Sequence, residues 1–319
     1  MAALLFLATS VSVGAPVAMA PTCRVLSISG GGSFGAFEIG VLSRLVEQTP
    51  GLDYDYMLGV SAGALNAGTL STFPVGADGF KSGVDFLKTT WEGLTNGDVY
   101  KMRLDPFSDP PSILSTAPLQ AMIDKTLKGR MVQRNVTIGT TNLATGASAK
   151  HDERELAANT NTILRASSAI PLVFPPIELN GTRHVDGGNS ANVLTVHGIE
   201  RCDAAAAAAG LPPPNIELEV ILAESTISQA SPSDVSSWGF FELASREWSI
   251  ARKEMADHEL RFKCPPGGPP SRIRATLHSP IGEIEPGATA MLDFDKGAEV
   301  WGVGYNVSRV ATTSFDFCI

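Results

Sequence analysis

Two serines lie between glycines in the spacing G-x-S-x-G, which is typical of a nucleophilic serine. In Gly59-Val60-Ser61-Ala62-Gly63 the serine follows an apolar run and opens a helix-like segment, and Gly31-Gly32-Ser33-Phe34-Gly35 has the same context. A sharp turn from strand to helix exposes such a hydroxyl, because the flanking glycines carry no side chains that would clash. Both segments therefore predict acyl transfer through a covalent ester, and they must be told apart.

The earlier segment begins with three consecutive glycines, Gly30-Gly31-Gly32, which favours a different role for it. Their backbone N–H groups lie beside a predicted helix N-terminus and can bind a negative charge. We therefore interpret this glycine loop as an oxyanion hole and Ser61 as the nucleophile. The N–H groups of Gly31, Gly32 and Ala62 are the predicted donors, since the residue after a nucleophile commonly supplies one.

The glycine loop also fits the dinucleotide-binding pattern G-x-G-x-x-G. That fold needs an acidic residue at the end of the second strand, where it binds the ribose. Asp53 and Asp55 precede the second predicted strand, and Ser61 stands at its end. The order of the elements therefore favours the oxyanion hole over a nucleotide site.

Asp186 is the predicted base for the serine. A nucleophilic serine needs a base within about 2.6–3.2 Å. Asp186 is followed by Gly187 and Gly188, which let the backbone bend and pack closely against another segment. Taken alone, an Asp-Gly pair favours a hairpin turn. The Ser61 segment and the triple glycine make catalysis the stronger interpretation.

A histidine base is the alternative, since the chain has five histidines. His184 lies two residues before Asp186, on the same side of a predicted strand, so the two can form a base and its orienting group. The other four carry no motif, and we expect them to be packed or exposed: His151, His197, His258 and His278. The spacing of His, Cys, Asp and Glu resembles no metal site, and we expect no metal or cofactor.

Together these segments resemble the patatin-like phospholipase family. The resemblance runs over about residues 24–304 and includes Ala166-Ser167-Ser168-Ala169-Ile170-Pro171 ahead of Phe174-Pro175-Pro176. It implies that Ser61 and Asp186 act as a catalytic pair without histidine. It also implies a lipid substrate at a membrane or micelle surface.

Phe34 departs from the pattern of that family. The family's glycine loop usually carries Arg or Lys before its last glycine, where this chain has Phe34. Phe34 cannot do what the cation does in the family for the geometry of the loop or for anionic head groups. The backbone N–H donors of the loop do not depend on this side chain.

Length and composition predict one α/β domain over residues 21–319. A chain of 319 residues with 44% hydrophobic content can bury a large core, and strand and helix signals alternate. We expect a three-layer α/β/α fold with a mostly parallel central sheet. The net charge of −9 disfavours nucleic acid and strongly anionic membranes as partners, but it is compatible with neutral or zwitterionic lipid. The oligomeric state is not determined.

The predicted elements begin with strands from Arg24 and Tyr56, followed by helices from Ala36 and Ala62. A Pro-rich excursion over 96–111, a lid or a plain loop, comes before a helix over 118–127, a hairpin around 142–146 and a helix over 153–168. Residues 204–214 and 264–270 are interpreted as connectors. Between these connectors, Phe241, Trp248, Met255 and Phe262 recur every seven residues and predict one face of a long amphipathic helix. This face is expected to pack in the core or to bind lipid.

Residues 1–20 predict a secretory signal peptide. They carry no charged side chain and end in the A-x-A-like Ala18-Met19-Ala20, and the apolar run is too short to span a membrane. The missing n-region cation and Pro21 after the cleavage point weaken the match. We expect a secreted or lumenal protein whose mature chain has no transmembrane segment, or a cytoplasmic one if the leader is not cleaved.

Cysteines and glycosylation patterns favour the same oxidising compartment. The four cysteines, an even number, are Cys23, Cys202, Cys264 and Cys318, and the sequence does not determine their pairing. The N-x-S/T pattern for glycosylation occurs at Asn135, Asn180 and Asn306. Asn180-Gly181-Thr182 is predicted to form an exposed turn between two strands.

The expected function is that of a lipid acyl hydrolase of the phospholipase A type. Ser61 attacks the ester carbonyl and Asp186 takes its proton. Two alternatives remain: a non-catalytic storage or lipid-binding protein on the same fold, and an acyltransferase or thioesterase that uses the same two residues. The lipid head group and the acyl position are not determined.

Overall fold

The computed structural model describes residues 20–224, 239, 250–251, 254–255, 257–264, 271–282, 284 and 290–319. The predicted signal peptide, apart from Ala20, lies outside these residues. So do the connector residues 265–270 and much of the predicted amphipathic helix, including Phe241 and Trp248. Of that helix, Met255 and His258 are described and helical, whereas Phe262 lies in a turn.

A mostly parallel sheet of nine strands lies at the centre of the described residues. Hydrogen-bonded strands follow one another in the order β11-β10-β9-β1-β2-β5-β8-β7, and β6 also pairs with β5. The five strands from β10 to β5 are mutually parallel. The bounds are β1 Thr22–Ile28, β2 Tyr56–Val60, β5 Asn135–Asn142, β6 Ser148–Asp152, β7 Ile177–Leu179, β8 Thr182–Asp186, β9 Asn215–Ile221, β10 Ile273–Pro280 and β11 Val310–Asp316.

Helices cover both faces of this sheet. Along β1, Leu26 belongs to the apolar cluster that contains α1 to α3, whereas Val25 belongs to the cluster that contains α7. Successive side chains of a strand point to opposite faces, so the sheet is buried on both sides. The expected three-layer α/β/α fold is confirmed. The helices are α1 Gly35–Gln48, α2 Ala62–Leu70, α3 Ala77–Glu92, α4 Asn96–Val99, α5 Ala117–Thr126, α6 Glu153–Ser167, α7 Thr195–Ala208 and α8 Gly297–Tyr305.

Two further segments differ from the sequence prediction. Residues 204–208 were expected to begin a connector, but they form the last turns of α7. Alanine has the highest helix propensity, so the helix continues through this low-complexity run and ends just before Gly210, which has a φ of 68°. The excursion over 96–111 contains α4 and the first strand of a small hairpin, in which β3 Lys101–Met102 pairs with β4 Leu114–Ser115.

Two disulfides link distant parts of the chain. Cys23 in β1 is bonded to Cys202 in α7, and Cys264 is bonded to Cys318 near the C-terminus. Their Cα–Cα distances, 6.1 Å and 5.1 Å, are in the usual range for a disulfide. The first one fixes the helix of one outer layer to the central sheet.

Within the described ranges, no helix is both long and apolar enough to cross a membrane.

Candidate active site

Ser61 lies at the sharp turn between β2 and α2. Its φ of 53° and ψ of −118° fall where residues other than glycine are rarely found. A side chain on Gly59 would clash with the carbonyl of Gly63, and one on Gly63 would clash with the carbonyl of Ser29. The G-x-S-x-G spacing is therefore required by close backbone contacts, and the turn has the strained geometry expected of a nucleophile segment.

The glycine loop passes directly beside Ser61. A Cβ atom added to Gly30 would lie 2.9 Å from the Ser61 Cβ and 3.6 Å from its Oγ. Ser33, in the competing segment, lies in a 3-10 turn over Gly32–Phe34, and its Oγ donates to the carbonyl of Ala290 at 2.9 Å. The Ser33 hydroxyl is thus engaged with the backbone, which favours Ser61 over Ser33 as the nucleophile.

Asp186 ends β8 and is 1% exposed. It pairs with Thr140 of β5, whereas Val60, the residue before Ser61, pairs with Gly139, the adjacent position of β5. Strand β6 pairs with this same stretch of β5. Because a strand has only two edges, β8 continues the edge on which β2 ends. Ser61 directly follows the residue paired with Gly139, and Asp186 is paired with Thr140. The two residues are therefore placed beside neighbouring positions on one edge of β5.

Close packing at Gly187 brings the aspartate segment still nearer. A Cβ atom on Gly187 would clash with the carbonyl of Gly139 and would lie 2.9 Å from the Val60 Cγ1. The Asp186 Oδ1 accepts a hydrogen bond from the Gly188 N–H at 2.8 Å, which orients the carboxylate. The close approach at Gly187 agrees with the prediction that glycines after Asp186 allow this segment to pack against another backbone.

Two buried polar side chains at the site were missed by the sequence interpretation. The Oγ of Ser167 accepts from the N–H of Ser61 at 2.9 Å and donates to the carbonyl of Gly139 at 2.6 Å. The Oδ1 of Asn192 accepts from the N–H of Gly30 at 3.1 Å. Ser167 lies in one of the segments that carry the family resemblance, but Asn192 stands in no recognised pattern.

The predicted oxyanion donors are the N–H groups of Gly31, Gly32 and Ala62. The Gly30 N–H bonds to Asn192, so this part of the loop is anchored rather than free to bind an oxyanion. Gly32 has a φ of 60°, a left-handed conformation that glycine adopts readily. Ala62 is the first residue of α2, and the first N–H groups of a helix have no partner within that helix.

His184 is bonded to threonines at both ring nitrogens. Nδ1 contacts the Thr140 Oγ1 at 2.8 Å, and Nε2 contacts the Thr182 Oγ1 at 3.0 Å. Burial and the neighbouring His151 lower the pKa of His184, which keeps the ring neutral near pH 7. His184 is therefore a satisfied core histidine, and this favours Asp186 as the base.

The remaining histidines have their own partners. His151 bonds Thr140 and Glu155, and His278 bonds Glu219 and Thr312. The other two each bond a residue three positions later, Glu200 for His197 and Arg261 for His258. In the part of the chain that the structure describes, no group of three or more His, Cys, Asp or Glu side chains could hold a metal ion.

An apolar cavity opens beside Ser61, which we call the acyl cavity. It encloses about 740 Å³ of space free of protein atoms, its open mouth included. The indole N–H of Trp91 is bonded to Asn66, so this wall residue presents mainly carbon to the cavity. Its apolar lining comes mainly from α2, α3, α5 and α6 and includes Leu65, Leu87, Trp91, Leu119, Met122, Ile123, Leu127, Leu164, Ile170 and Phe174.

Comparison with known proteins identifies the family. The model of the patatin-like phospholipases matches residues 26–197, more than half of the chain, and this range contains the glycine loop, Ser61 and Asp186. The chain belongs to the patatin-like phospholipase family. Membership implies a lipid acyl hydrolase that acts on lipid substrates.

Among solved structures, this patatin-like phospholipase is similar to VipD from Legionella pneumophila. The two share 13% sequence identity with a TM-score of 0.39, and the match covers 92% of this chain and 68% of that one. No curated protein matches the sequence significantly.

The predicted glycosylation residues are all exposed: Asn135, Asn180 and Asn306. Asn180 and Gly181 form the predicted two-residue turn between β7 and β8, with φ angles of 52° and 76°. Phe34, the departure from the family pattern, is partly buried and packs against the core. It therefore contributes apolar contact where the family usually has a cation.

Proposed function

We propose that this patatin-like phospholipase hydrolyses long-chain fatty-acyl esters of lipids, with Ser61 as nucleophile and Asp186 as its base. The observation that carries the proposal is the strand register on one edge of β5, where Val60 pairs with Gly139 and Asp186 pairs with Thr140, beside the glycine loop. Both are almost fully buried, at 3% and 1% exposure, and in such a low-dielectric site hydrogen bonds and charges act strongly.

The proposed reaction has two halves. In the first, the Ser61 Oγ bonds to the carbonyl carbon, its proton passes to the Asp186 carboxylate, and the carbonyl electron pair moves onto oxygen. The N–H groups of Gly31, Gly32 and Ala62 stabilise this oxyanion. When it collapses, the alcohol leaves with the proton from Asp186, and the acyl group remains on Ser61. In the second half, water attacks the acyl carbonyl carbon while Asp186 takes one of its protons. The bond between that carbon and the Ser61 Oγ then breaks, the proton passes from Asp186 to the Ser61 Oγ, and the fatty acid is released.

The acyl cavity supports a long-chain substrate. Its walls are mostly hydrocarbon, and each methylene group that moves from water into such a site contributes about 0.8 kcal/mol. Short acyl groups leave most of this contact unused. We therefore infer a preference for fatty-acyl over acetyl esters.

The cysteines support an oxidising compartment. No cysteine within the described ranges is free, and the Cys23–Cys202 disulfide joins two residues that are 179 positions apart in the sequence. Structural disulfides persist in secreted and lumenal proteins and are rare in the cytosol. We propose on this basis that the protein works in the secretory pathway or outside the cell.

Fatty acid released from a lipid panel tests the proposed function. Purified protein incubated with phospholipid, galactolipid and neutral glyceride vesicles or micelles should release free fatty acid from at least one of them. EDTA should leave the rate unchanged. A fluorophosphonate should label Ser61, as identified by peptide mapping.

Two other outcomes would indicate the alternatives. If Ser61 is labelled and the acyl group is transferred to an alcohol without release of free acid, the protein is an acyltransferase. Absence of both labelling and release would indicate a non-catalytic lipid-binding protein.

Asn192 should act as a positioning residue for the glycine loop. Asn192→Ala removes the acceptor of the Gly30 N–H, and a loop displaced by about 1 Å can lose roughly 100-fold in rate. We expect kcat to fall about 10- to 100-fold with a smaller change in KM. The rate is measured per fluorophosphonate-reactive site. A lower melting temperature with an unchanged kcat per site would show that Asn192 is only structural.

A further inference from the structure

A second pocket lies beyond the acyl cavity, and the two share part of a wall. This polar pocket encloses about 550 Å³, its open mouth included, and its lining contains the charged residues Asp124, Lys128 and Arg130. Ile123 and Leu127 line both spaces. Two apolar side chains at the end of α5 thus separate a hydrocarbon cavity from a charged one.

The shared wall stands at the end of the acyl cavity remote from Ser61. Ala62, Leu65 and Thr69 line the acyl cavity, which therefore follows α2 for about 10 Å from the nucleophile. Thr72, just after the end of α2, lines the polar pocket instead. The change from one space to the other thus falls between Thr69 and Thr72.

Helix α6 shows the same arrangement. Leu164 lines the acyl cavity, whereas Thr160 and Asn161, about one turn away, line the polar pocket. The Asn161 amide donates to the carbonyl of Gln120 at 3.2 Å and to Asp124 at 2.7 Å. These bonds hold α5 against α6 and keep the wall in place.

We propose that Ile123 and Leu127 set the longest acyl chain that the enzyme accepts, an inference that rests on the proposed lipid hydrolysis. Each methylene that fits between Ser61 and the wall improves binding about fourfold. A longer chain meets Ile123, which is 4% exposed and packed in the core. Beyond Ile123, the charged lining of the polar pocket gives a methylene group no comparable gain in binding. The preference for longer acyl chains therefore stops at the wall.

Substitutions at Ile123 should move the preferred chain length in opposite directions. Ile123→Ala removes three side-chain carbons and should shift the optimum of kcat/KM to chains longer by about two or three methylenes. Ile123→Phe should shift it to shorter chains, and Ile123→Val serves if the alanine variant does not fold. The measurement is the rate on phosphatidylcholine vesicles with saturated acyl chains of increasing length. The control is Ile39→Ala, a fully buried isoleucine of α1 that lines neither space.

The wall can also be tested without catalysis. The Ser61→Ala chain, with and without Ile123→Ala, is titrated calorimetrically with saturated fatty acids of the same series. Longer acids should gain affinity only in the double variant, about fourfold for each added methylene that fits. The role of Ile123 would be overturned if its substitution changed the dependence on chain length of neither kcat/KM nor fatty-acid affinity. An equal shift in Ile39→Ala would also overturn it. If the unsubstituted enzyme hydrolyses no lipid, but Ile123→Ala still raises the affinity for longer fatty acids, only the proposed reaction is refuted.

Discussion

Ser61→Ala should lower the rate of ester hydrolysis by at least about a thousandfold, and Asp186→Asn should lower it by a similar factor. In the proposed reaction, the first change removes the atom that bonds to the acyl group, and the second removes the base that takes its proton. Because that reaction uses the two residues as one unit, the double variant should be little slower than either single variant. The measurement is kcat on the best lipid of the panel, for variants that keep the parent melting temperature.

Ser33→Ala is the matched control for this prediction. Ser33 has the same G-x-S-x-G flanks, but its Oγ bonds the Ala290 carbonyl, so its loss should cost only about 1 kcal/mol of stability and little activity. If Ser33→Ala abolishes hydrolysis while Ser61→Ala does not, the roles of the two segments are reversed. If His184→Gln loses both turnover and fluorophosphonate labelling, His184 takes part in catalysis, and the site is a triad of Ser61, His184 and Asp186 instead of a pair.

Gly32→Ala should lower activity at least about a hundredfold, the effect of losing one oxyanion donor. Gly32 has a φ of 60°, and an added Cβ would clash with the carbonyl of Met291 and lie 3.1 Å from its carbon. Both groups are backbone, so the loop itself must move to admit the methyl group. Displacement of the loop would take the N–H groups of Gly31 and Gly32 away from the position proposed for the oxyanion. We expect kcat to fall more than KM rises, in steady-state assays on the same lipid.

Gly51→Ala separates loop displacement from backbone strain. Gly51 also has a positive φ, 84°, but an added Cβ would have no atom within 4 Å. Gly51→Ala should therefore lose about 1 kcal/mol of stability from backbone strain and keep its activity. Gly32→Ala carries the same strain and, in addition, the clash that displaces the loop. Full activity in Gly32→Ala would place the oxyanion donors elsewhere.

Local sequence predicted the elements around the site because their signals are short in range. The alternation of apolar strand and amphipathic helix gave β1, α1, β2 and α2 in the right order, and the glycines of both G-x-S-x-G segments specified turns that only glycine allows. The same local reasoning was wrong at residues 204–208, where low complexity was taken for a connector. Alanine's own helix propensity extends α7 through that run.

The sequence by itself thus determined the strand-to-helix turn at Ser61, the bend after Asp186 and the alternating elements. Only the tertiary structure decided which residues meet. The ends of β2 and β8, which carry Ser61 and Asp186, lie at consecutive positions of β5, and this register is set by long-range contacts. Ser167 and Asn192 could not be found beforehand, because a single serine or asparagine acquires its partner only on folding. The same holds for the wall at Ile123, whose position between two cavities depends on how α2, α5 and α6 pack together.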